Sequence, residues 1–158
     1  MAHATADEIQ TTFLIAMIIT SFFWLKCHFV FFNIGGKRIA GGDRMPEDKY
    51  QKAPSGAEKE KLREEAERYK RAGVNDFENV FLGLFLIWGN TLSLQYDGAA
   101  ITVIVLACAF AFFRLCHTIF YINSISYGRT ASYMLGQVCC IALMANGIAN
   151  MAASTHHD

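Results

Sequence analysis

Four apolar stretches, separated by polar segments, make up most of the sequence. They run over about Thr11–Phe32, Phe77–Leu94, Ala99–Ile122 and Ala131–Met151. A helix needs about 20 residues to cross a hydrocarbon core of about 30 Å, so each stretch is long enough to be a membrane span. The pattern predicts an all-α membrane protein, a bundle of four transmembrane helices in a single domain over residues 1–158.

The connection between the first two spans is long and charged. Between Lys37 and Asp76 lie eleven of the fourteen lysines and arginines and nine of the fourteen aspartates and glutamates. Within this connection, Ser55 and Glu58 stand at the spacing of a capping box, which marks the start of a helix. The second helix is therefore predicted over residues 57–94, with a charged cytosolic extension ahead of its membrane span.

The distribution of basic residues predicts the orientation in the membrane. Cytoplasmic loops are rich in lysine and arginine. The first connection carries eleven of them and the third carries Arg129, whereas the N-terminus, the Gln95–Gly98 turn and the tail carry none. Both termini are predicted on the lumenal side. Asp7 and Glu8 precede the first span where a cleavable signal peptide would be basic, so this span is expected to be retained.

Composition narrows the class of protein further. Hydrophobic residues make up 53% of the chain and the formal net charge is zero. These values favour a membrane protein and argue against nucleic-acid binding. The cysteines are odd in number, and none has the spacing of a disulfide framework or a metal site. We interpret them as helix-packing residues: Cys27, Cys108, Cys116, Cys139 and Cys140.

Three spans carry polar side chains at helical spacing. Taken span by span, these residues are Arg71, Asn75 and Glu78; Arg114, His117 and Tyr121; and Arg129, Tyr133 and Gln137. Each set falls on one face of its helix. Because the second span begins on the cytoplasmic side, the third ends there and the fourth begins there, the sets share one depth. All except Gln137 are predicted to line a pocket near the cytoplasmic surface, suited to a small, multiply charged ligand.

Each of these residues also has a structural interpretation. Arg71 fits the solvated face of the charged helix. Glu78 and Arg114 could pair and so hold the second and third spans together. The remaining alternatives are Asn75 as a helix-end residue, His117 as a satisfied bundle histidine, Gln137 as an interhelical hydrogen-bonding residue, and Tyr121, Tyr133 and Arg129 as interfacial anchors. The meeting of three sets at one depth favours the pocket.

Two motifs are specific in combination, residues 71–79 (RAGVNDFEN) and residues 114–121 (RLCHTIFY). Pro46-Glu47-Asp48 and the segment from Arg129 to Tyr133 add two smaller matches. Together these residues resemble the MAPEG family, the membrane-associated proteins in eicosanoid and glutathione metabolism. The resemblance is closest to the branch that contains microsomal glutathione transferase 1 and microsomal prostaglandin E synthase.

The resemblance implies a homotrimer that binds glutathione between neighbouring subunits near the cytosolic face, in the endoplasmic reticulum or the mitochondrial outer membrane. A lipophilic second substrate would arrive from the lipid bilayer. Catalytic roles are implied for Arg129, closest to the glutathione sulfur, and for Asp48. The implied glutathione contacts are Arg38 (or Lys37), Arg71, Asn75, Glu78, Arg114, His117, Tyr121, Thr130 and Tyr133.

The expected chemistry follows from the thiol group of glutathione. A free thiol has a pKa of about 8.5, and a nearby positive charge, here Arg129, favours the reactive thiolate. A glutathione transferase or peroxidase is predicted, acting on lipophilic electrophiles or lipid hydroperoxides. One alternative is a prostaglandin E synthase-like isomerase. Val74 argues against it, because prostaglandin E synthase has an arginine at this position. Another is a non-catalytic membrane subunit or scaffold, suggested by Gly73, which replaces the family's usual histidine.

Overall fold

The computed structural model describes residues 4–42, 56–94 and 97–154, and the regular secondary structure in these ranges is all helical. The predicted all-α, four-helix fold is confirmed. The four helices are α1 (Ala6–Ala40), α2 (Ala57–Leu92), α3 (Asp97–Ile122) and α4 (Ser126–Ser154).

Two of the helices extend well beyond their predicted apolar stretches. Thr5 caps the N-terminus of α1 and Glu8 closes a capping box with it, so this helix begins five residues before the predicted start at Thr11. Its last turn carries Lys37 and Arg38, which complement the C-terminal end of the helix dipole. The polar residues from Ser126 onward are likewise helical in α4, because hydropathy marks the membrane-buried part of a helix and not its ends.

Within the described residues, α1, α3 and α4 are long and apolar enough to span a membrane. The membrane half of α2 is less apolar because it contains amide side chains such as Asn79 and Asn90. Both amides are bonded to α4: Gln137 donates to Asn79 at 2.7 Å, and Asn90 donates to the Leu143 carbonyl at 3.0 Å. These two amide side chains of α2 therefore face a neighbouring helix rather than lipid.

The core lies along the axis of the bundle and takes residues from every helix. Phe23 of α1, Ile87 of α2, Phe110 of α3 and Leu143 of α4 are all buried there. At Gly83, a Cβ atom would lie 2.1 Å from the Phe110 ring, so a glycine is required where α2 crosses α3. This close crossing brings the polar ends of the two helices together.

Large apolar side chains also cover the outer surface of the bundle. Trp24 and Phe32 of α1, Phe85 of α2, Val105 of α3 and Ile148 of α4 are all exposed. So much exposed apolar surface on every helix is unfavourable in water and favourable in a hydrocarbon solvent. The bundle therefore belongs in a membrane.

Candidate functional site

A cleft of about 670 Å³ opens at the end of the bundle that carries the charged extension of α2. The extension forms one wall, and the ends of α1, α3 and α4 form the other. The described residues that line the cleft include six basic and three acidic side chains. The basic residues are Arg38, Arg63, Arg68, Lys70, Arg71 and Arg129, the acidic residues are Glu60, Glu64 and Glu67, and Ala66, Tyr121, Ser124 and Ser126 complete the lining.

The turn between α3 and α4 places Arg129 beside Tyr121. Ser124 has a φ of 62°, in the left-handed region, and its amide donates to the Tyr121 carbonyl at 3.2 Å. At Gly128, a Cβ atom would lie 2.8 Å from the Phe120 ring, so this position tolerates no larger residue without rearrangement. The tight reversal sets the guanidinium carbon of Arg129 over the Tyr121 ring, 4.9 Å from its centre.

Beneath the cleft, His117 packs between two tyrosines. Its ring centre lies 5.7 Å from that of Tyr121 and 6.0 Å from that of Tyr133. His117 is buried, and its Nδ1 atom has no hydrogen-bond partner in the described part of the chain. His117 and Tyr133, which were predicted to line the pocket, are thus in contact with each other but are not among the described residues that line the cleft.

A buried ion network, formed by Lys26, Asp76, Arg114 and Thr118, lies next to this aromatic group. The Arg114 guanidinium binds Asp76 Oδ1 at 2.6 Å, and both side chains are at most 2% exposed. Lys26 binds Asp76 Oδ2 at 3.0 Å, and the Thr118 hydroxyl donates to the same oxygen at 2.8 Å. The network therefore joins α1, α2 and α3 through one carboxylate.

Asn75 is attached to this network. Arg114 Nη2 donates to the Asn75 side-chain oxygen at 2.9 Å and, at 3.3 Å, to its backbone carbonyl. Asn75 is half-buried, so its side chain connects the buried ions to a more accessible level.

The proposed pairing of Glu78 with Arg114 is wrong, because Asp76 is the carboxylate that faces Arg114. Asp76 lies on the buried stripe of α2, whereas Glu78 is turned outward. Glu78 consequently does not line the cleft, contrary to the prediction from spacing. It lies among exposed apolar residues, including Val74, which is 54% exposed, and Phe77, which is 69% exposed.

The other predicted site residues are distributed as follows. Arg38, Arg71 and Arg129 line the cleft together with Tyr121. Arg71 is exposed and pairs with Glu67. Thr130 is exposed on α4, and its hydroxyl donates to the Ser126 carbonyl of its own helix, away from the lining of the cleft. Asp48 lies outside the described residues. Lys37, the alternative to Arg38, pairs with Glu65.

The sequence prediction did not include Lys26 and Asp76, the two members of the buried ion network on α1 and α2. The signal for Lys26 was present: it is the one charged residue of the Thr11–Phe32 stretch, and a charge within a span needs a partner. The signal for Asp76 was its position four residues after the buried Ala72 and four before the buried Val80, which places it on the core face of α2.

The bundle defines an integral membrane protein with a charged cleft at one end. The chain belongs to the MAPEG family, whose model matches residues 13–149, and the predicted resemblance to this family is confirmed. Membership supports a glutathione-related function in a membrane. No curated protein matches the sequence significantly.

Proposed function

We propose that the protein is a membrane-bound glutathione transferase and peroxidase that acts on lipophilic electrophiles or lipid hydroperoxides through a stabilised glutathione thiolate. The observation that carries this proposal is the position of Arg129, at the inner edge of the charged cleft and over the Tyr121 ring. A guanidinium is permanently charged, so it stabilises a thiolate at neutral pH.

The charges of the cleft suit the rest of the tripeptide. Glutathione carries two carboxylates and one ammonium group. Arginine side chains bind carboxylates through paired, charge-assisted hydrogen bonds, and Arg38 and Arg71 line opposite walls of the cleft. The carboxylates of Glu60, Glu64 and Glu67 on α2 provide partners for an ammonium group.

The reaction needs a thiolate and an apolar partner in contact with each other. In transfer, the thiolate sulfur bonds to an electrophilic carbon, and a leaving group departs with the electron pair. In peroxide reduction, the thiolate attacks the terminal oxygen, which gives glutathione sulfenic acid and a lipid alcohol after protonation. A second glutathione then forms the disulfide and releases water. The exposed apolar faces of the bundle give lipid-dissolved substrates a route to the sulfur.

We further propose that the site is completed by a neighbouring copy in a homotrimer. Glu78 is exposed among Val74, Phe77 and Phe81, and it has no ion-pair partner within the described residues. An unpaired charge within a span costs several kcal/mol, on the order of 2.5–3.5 on insertion scales. A neighbouring subunit that covers this face and pairs with Glu78 removes that cost.

Gly73, the main sign of a site that has lost its function, has a packing explanation. It is buried where α2 crosses α1, and a Cβ atom would lie 3.3 Å from Val30 and 3.7 Å from Ile34. A larger side chain would press against Val30, so close packing of the two helices offers an explanation for the glycine besides loss of function. Val74, an apolar residue on the exposed face, favours the transferase over the isomerase.

The orientation and location belong to the same proposal. We place both termini on the lumenal side, so that the cleft opens to the cytosol, where glutathione is abundant. The endoplasmic reticulum or the mitochondrial outer membrane is the proposed compartment. The basic residues of the α2 extension support this orientation because such residues are retained on the cytosolic side.

A thiolate titration tests the function directly. Purified full-length protein in detergent is mixed with glutathione, and the ultraviolet absorbance of the thiolate is followed against pH. We expect thiolate to form near neutral pH with wild-type protein, and to be lost in Arg129→Ala. Lys61→Ala is the matched control, since Lys61 is an exposed cation of α2 that does not line the cleft.

Turnover measurements with different substrates distinguish transferase and peroxidase activity from isomerase activity. An aryl halide and an organic hydroperoxide are the expected substrates, both with a dependence on Arg129. Isomerisation of a lipid endoperoxide without transfer or peroxide reduction would identify the isomerase instead. Absence of thiolate in the wild type, with equal absorbance for Arg129→Ala, would leave the scaffold as the better description.

A further inference from the structure

The contact between Arg114 and Asn75 fixes which end of the Asn75 amide faces the buried ion network. An arginine side chain has hydrogen-bond donors and no acceptor. Because Arg114 Nη2 lies 2.9 Å from the Asn75 amide, it is the oxygen of the amide that must face Arg114. The Nδ2 end, which carries two donors, is therefore turned away from the network.

Arg114 is itself held in place by Asp76. The carboxylate receives Arg114 on Oδ1 and both Lys26 and Thr118 on Oδ2, so its orientation is fixed from two sides. Lys26 also donates to the Arg114 carbonyl at 3.2 Å. The contacts therefore run from α1 and α3 to the Asp76 carboxylate, from there to the Arg114 guanidinium, and finally to the Asn75 amide.

The network is poorly explained by stability alone. A buried ion pair is often no more stabilising than apolar residues of similar volume. Here Arg114 also keeps two buried donors, Nε and Nη1, that have no hydrogen-bond partner in the described part of the chain. Buried donors left unsatisfied are costly, so their persistence calls for a function that an apolar core would not provide. Fixing which end of the Asn75 amide faces the network is such a function.

We propose that Asp76, held by Lys26 and Thr118, is a positioning residue for glutathione. Acting through Arg114, it presents the Nδ2 group of Asn75 as a hydrogen-bond donor to a carboxylate or carbonyl oxygen of the tripeptide. This inference rests on the proposed glutathione function. It adds Lys26, Asp76 and Thr118 to the residues that determine how tightly glutathione is held.

Two variants test the proposal with full-length protein in detergent. Thr118→Val removes one hydrogen bond to Asp76 and preserves side-chain shape. Its matched control is Thr91→Val, because among the described residues the buried Thr91 hydroxyl bonds only to the Ile87 carbonyl of its own helix. Asn75→Asp keeps an acceptor for Arg114 and removes the donor that would face glutathione.

The expected results separate binding from turnover. In Thr118→Val, KM for glutathione should rise several-fold, while kcat at saturating glutathione stays within about twofold, because the hydrogen bond acts on positioning. Asn75→Asp should raise KM by about tenfold or more, as expected when a hydrogen bond to a charged group is lost. Thr91→Val should match the wild type in both constants.

Nuclear magnetic resonance of isotope-labelled asparagine provides a readout that loss of stability alone would not change. The Asn75 side-chain amide, identified by its absence in Asn75→Asp, should shift on addition of glutathione in the wild type. In Thr118→Val, it should shift before glutathione is added. If Thr118→Val and Asn75→Asp bind glutathione as tightly as the wild type, this inference is wrong and the proposed function stands. If the wild type does not respond to glutathione, both are wrong.

Discussion

The guanidinium of Arg129 lies over the ring of Tyr121, across the turn that joins α3 to α4. A cation above an aromatic face is stabilised by about 0.5–1 kcal/mol at exposed sites and by about 2 kcal/mol when desolvated. The contact holds a permanent positive charge at the inner edge of the cleft. Its strength depends on the ring of Tyr121, and the hydroxyl is not required for it.

The first prediction separates the ring of Tyr121 from its hydroxyl. Tyr121→Phe keeps the aromatic face, so the pH midpoint of glutathione thiolate formation should stay close to that of the wild type. Tyr121→Leu removes the face, and the midpoint should rise because Arg129 is no longer held in place. Absorbance titration measures both. Equal midpoints for the Leu and Phe variants would show that the ring does not position Arg129.

The second prediction concerns the close crossing of α2 and α3. Gly83→Ala places a methyl group into the Phe110 ring and should lower stability by about 1–3 kcal/mol, the usual cost of overpacking. Gly89→Ala, on the same helix with open space around it, should be neutral or stabilising by up to about 1 kcal/mol. Thermal unfolding in detergent, followed by circular dichroism, compares the two. Restoration of stability by a second change, Phe110→Leu, would confirm the cause.

The third prediction uses the ion pair between Lys37 at the end of α1 and Glu65 on the α2 extension. The hydrogen bond from Lys37 holds the pKa of Glu65 below its ordinary value. A lowered carboxyl pKa contributes stability above the ordinary pKa, and this contribution is lost as the pH falls through the lowered value. Glu65→Gln should therefore have a lower Tm than the wild type at neutral pH, with a difference that begins to shrink near the ordinary carboxyl pKa of about 4.3 and is lost once the pH is below the lowered value. A difference that persists in acid would exclude the ion pair as its source.

The fourth prediction addresses the amide contacts between α2 and α4. Asn90 donates to the Leu143 carbonyl and accepts from Asn146 at 2.9 Å. Interhelical hydrogen bonds in membranes average about 0.6 kcal/mol, so Asn90→Ala should lose about 1 kcal/mol. Asn33→Ala is the control, because within the part of the chain that the structure describes Asn33 donates only to the Phe29 carbonyl of its own helix. Unfolding in a denaturing detergent should rank the two, and equal losses would argue against an interhelical role for Asn90.

The sequence predicted the helices well because hydrophobic length is a local property. The predicted stretch Ala99–Ile122 falls within two residues of α3, and α2 begins at the predicted residue, Ala57. The end of α1 was underestimated, since the turns that carry Lys37 and Arg38 lie beyond the apolar stretch. A hydropathy pattern reports where lipid ends, whereas a helix continues as long as its backbone bonds are satisfied.

The site was predicted in part, because side-chain pairing depends on how each helix is rotated. Spacing placed Arg71, Tyr121 and Arg129 at one end of the bundle, and the structure places all three along the cleft. Spacing could not distinguish Asp76 from Glu78 as the partner of Arg114. The two carboxylates differ by about 200° around the helix, and only the packing of α2 against α1 and α3 determines which one is buried.

The buried ion network also has a consequence for biogenesis. Lys26, Asp76 and Arg114 lie on three different helices, and a charged residue in an isolated span opposes insertion by about 2.5–3.5 kcal/mol. Each of the three helices therefore reaches its most stable state in lipid only when its charge is paired with those of the other two. Release of the nascent chain from the insertion machinery should therefore follow pairing of α1 with α2 and α3.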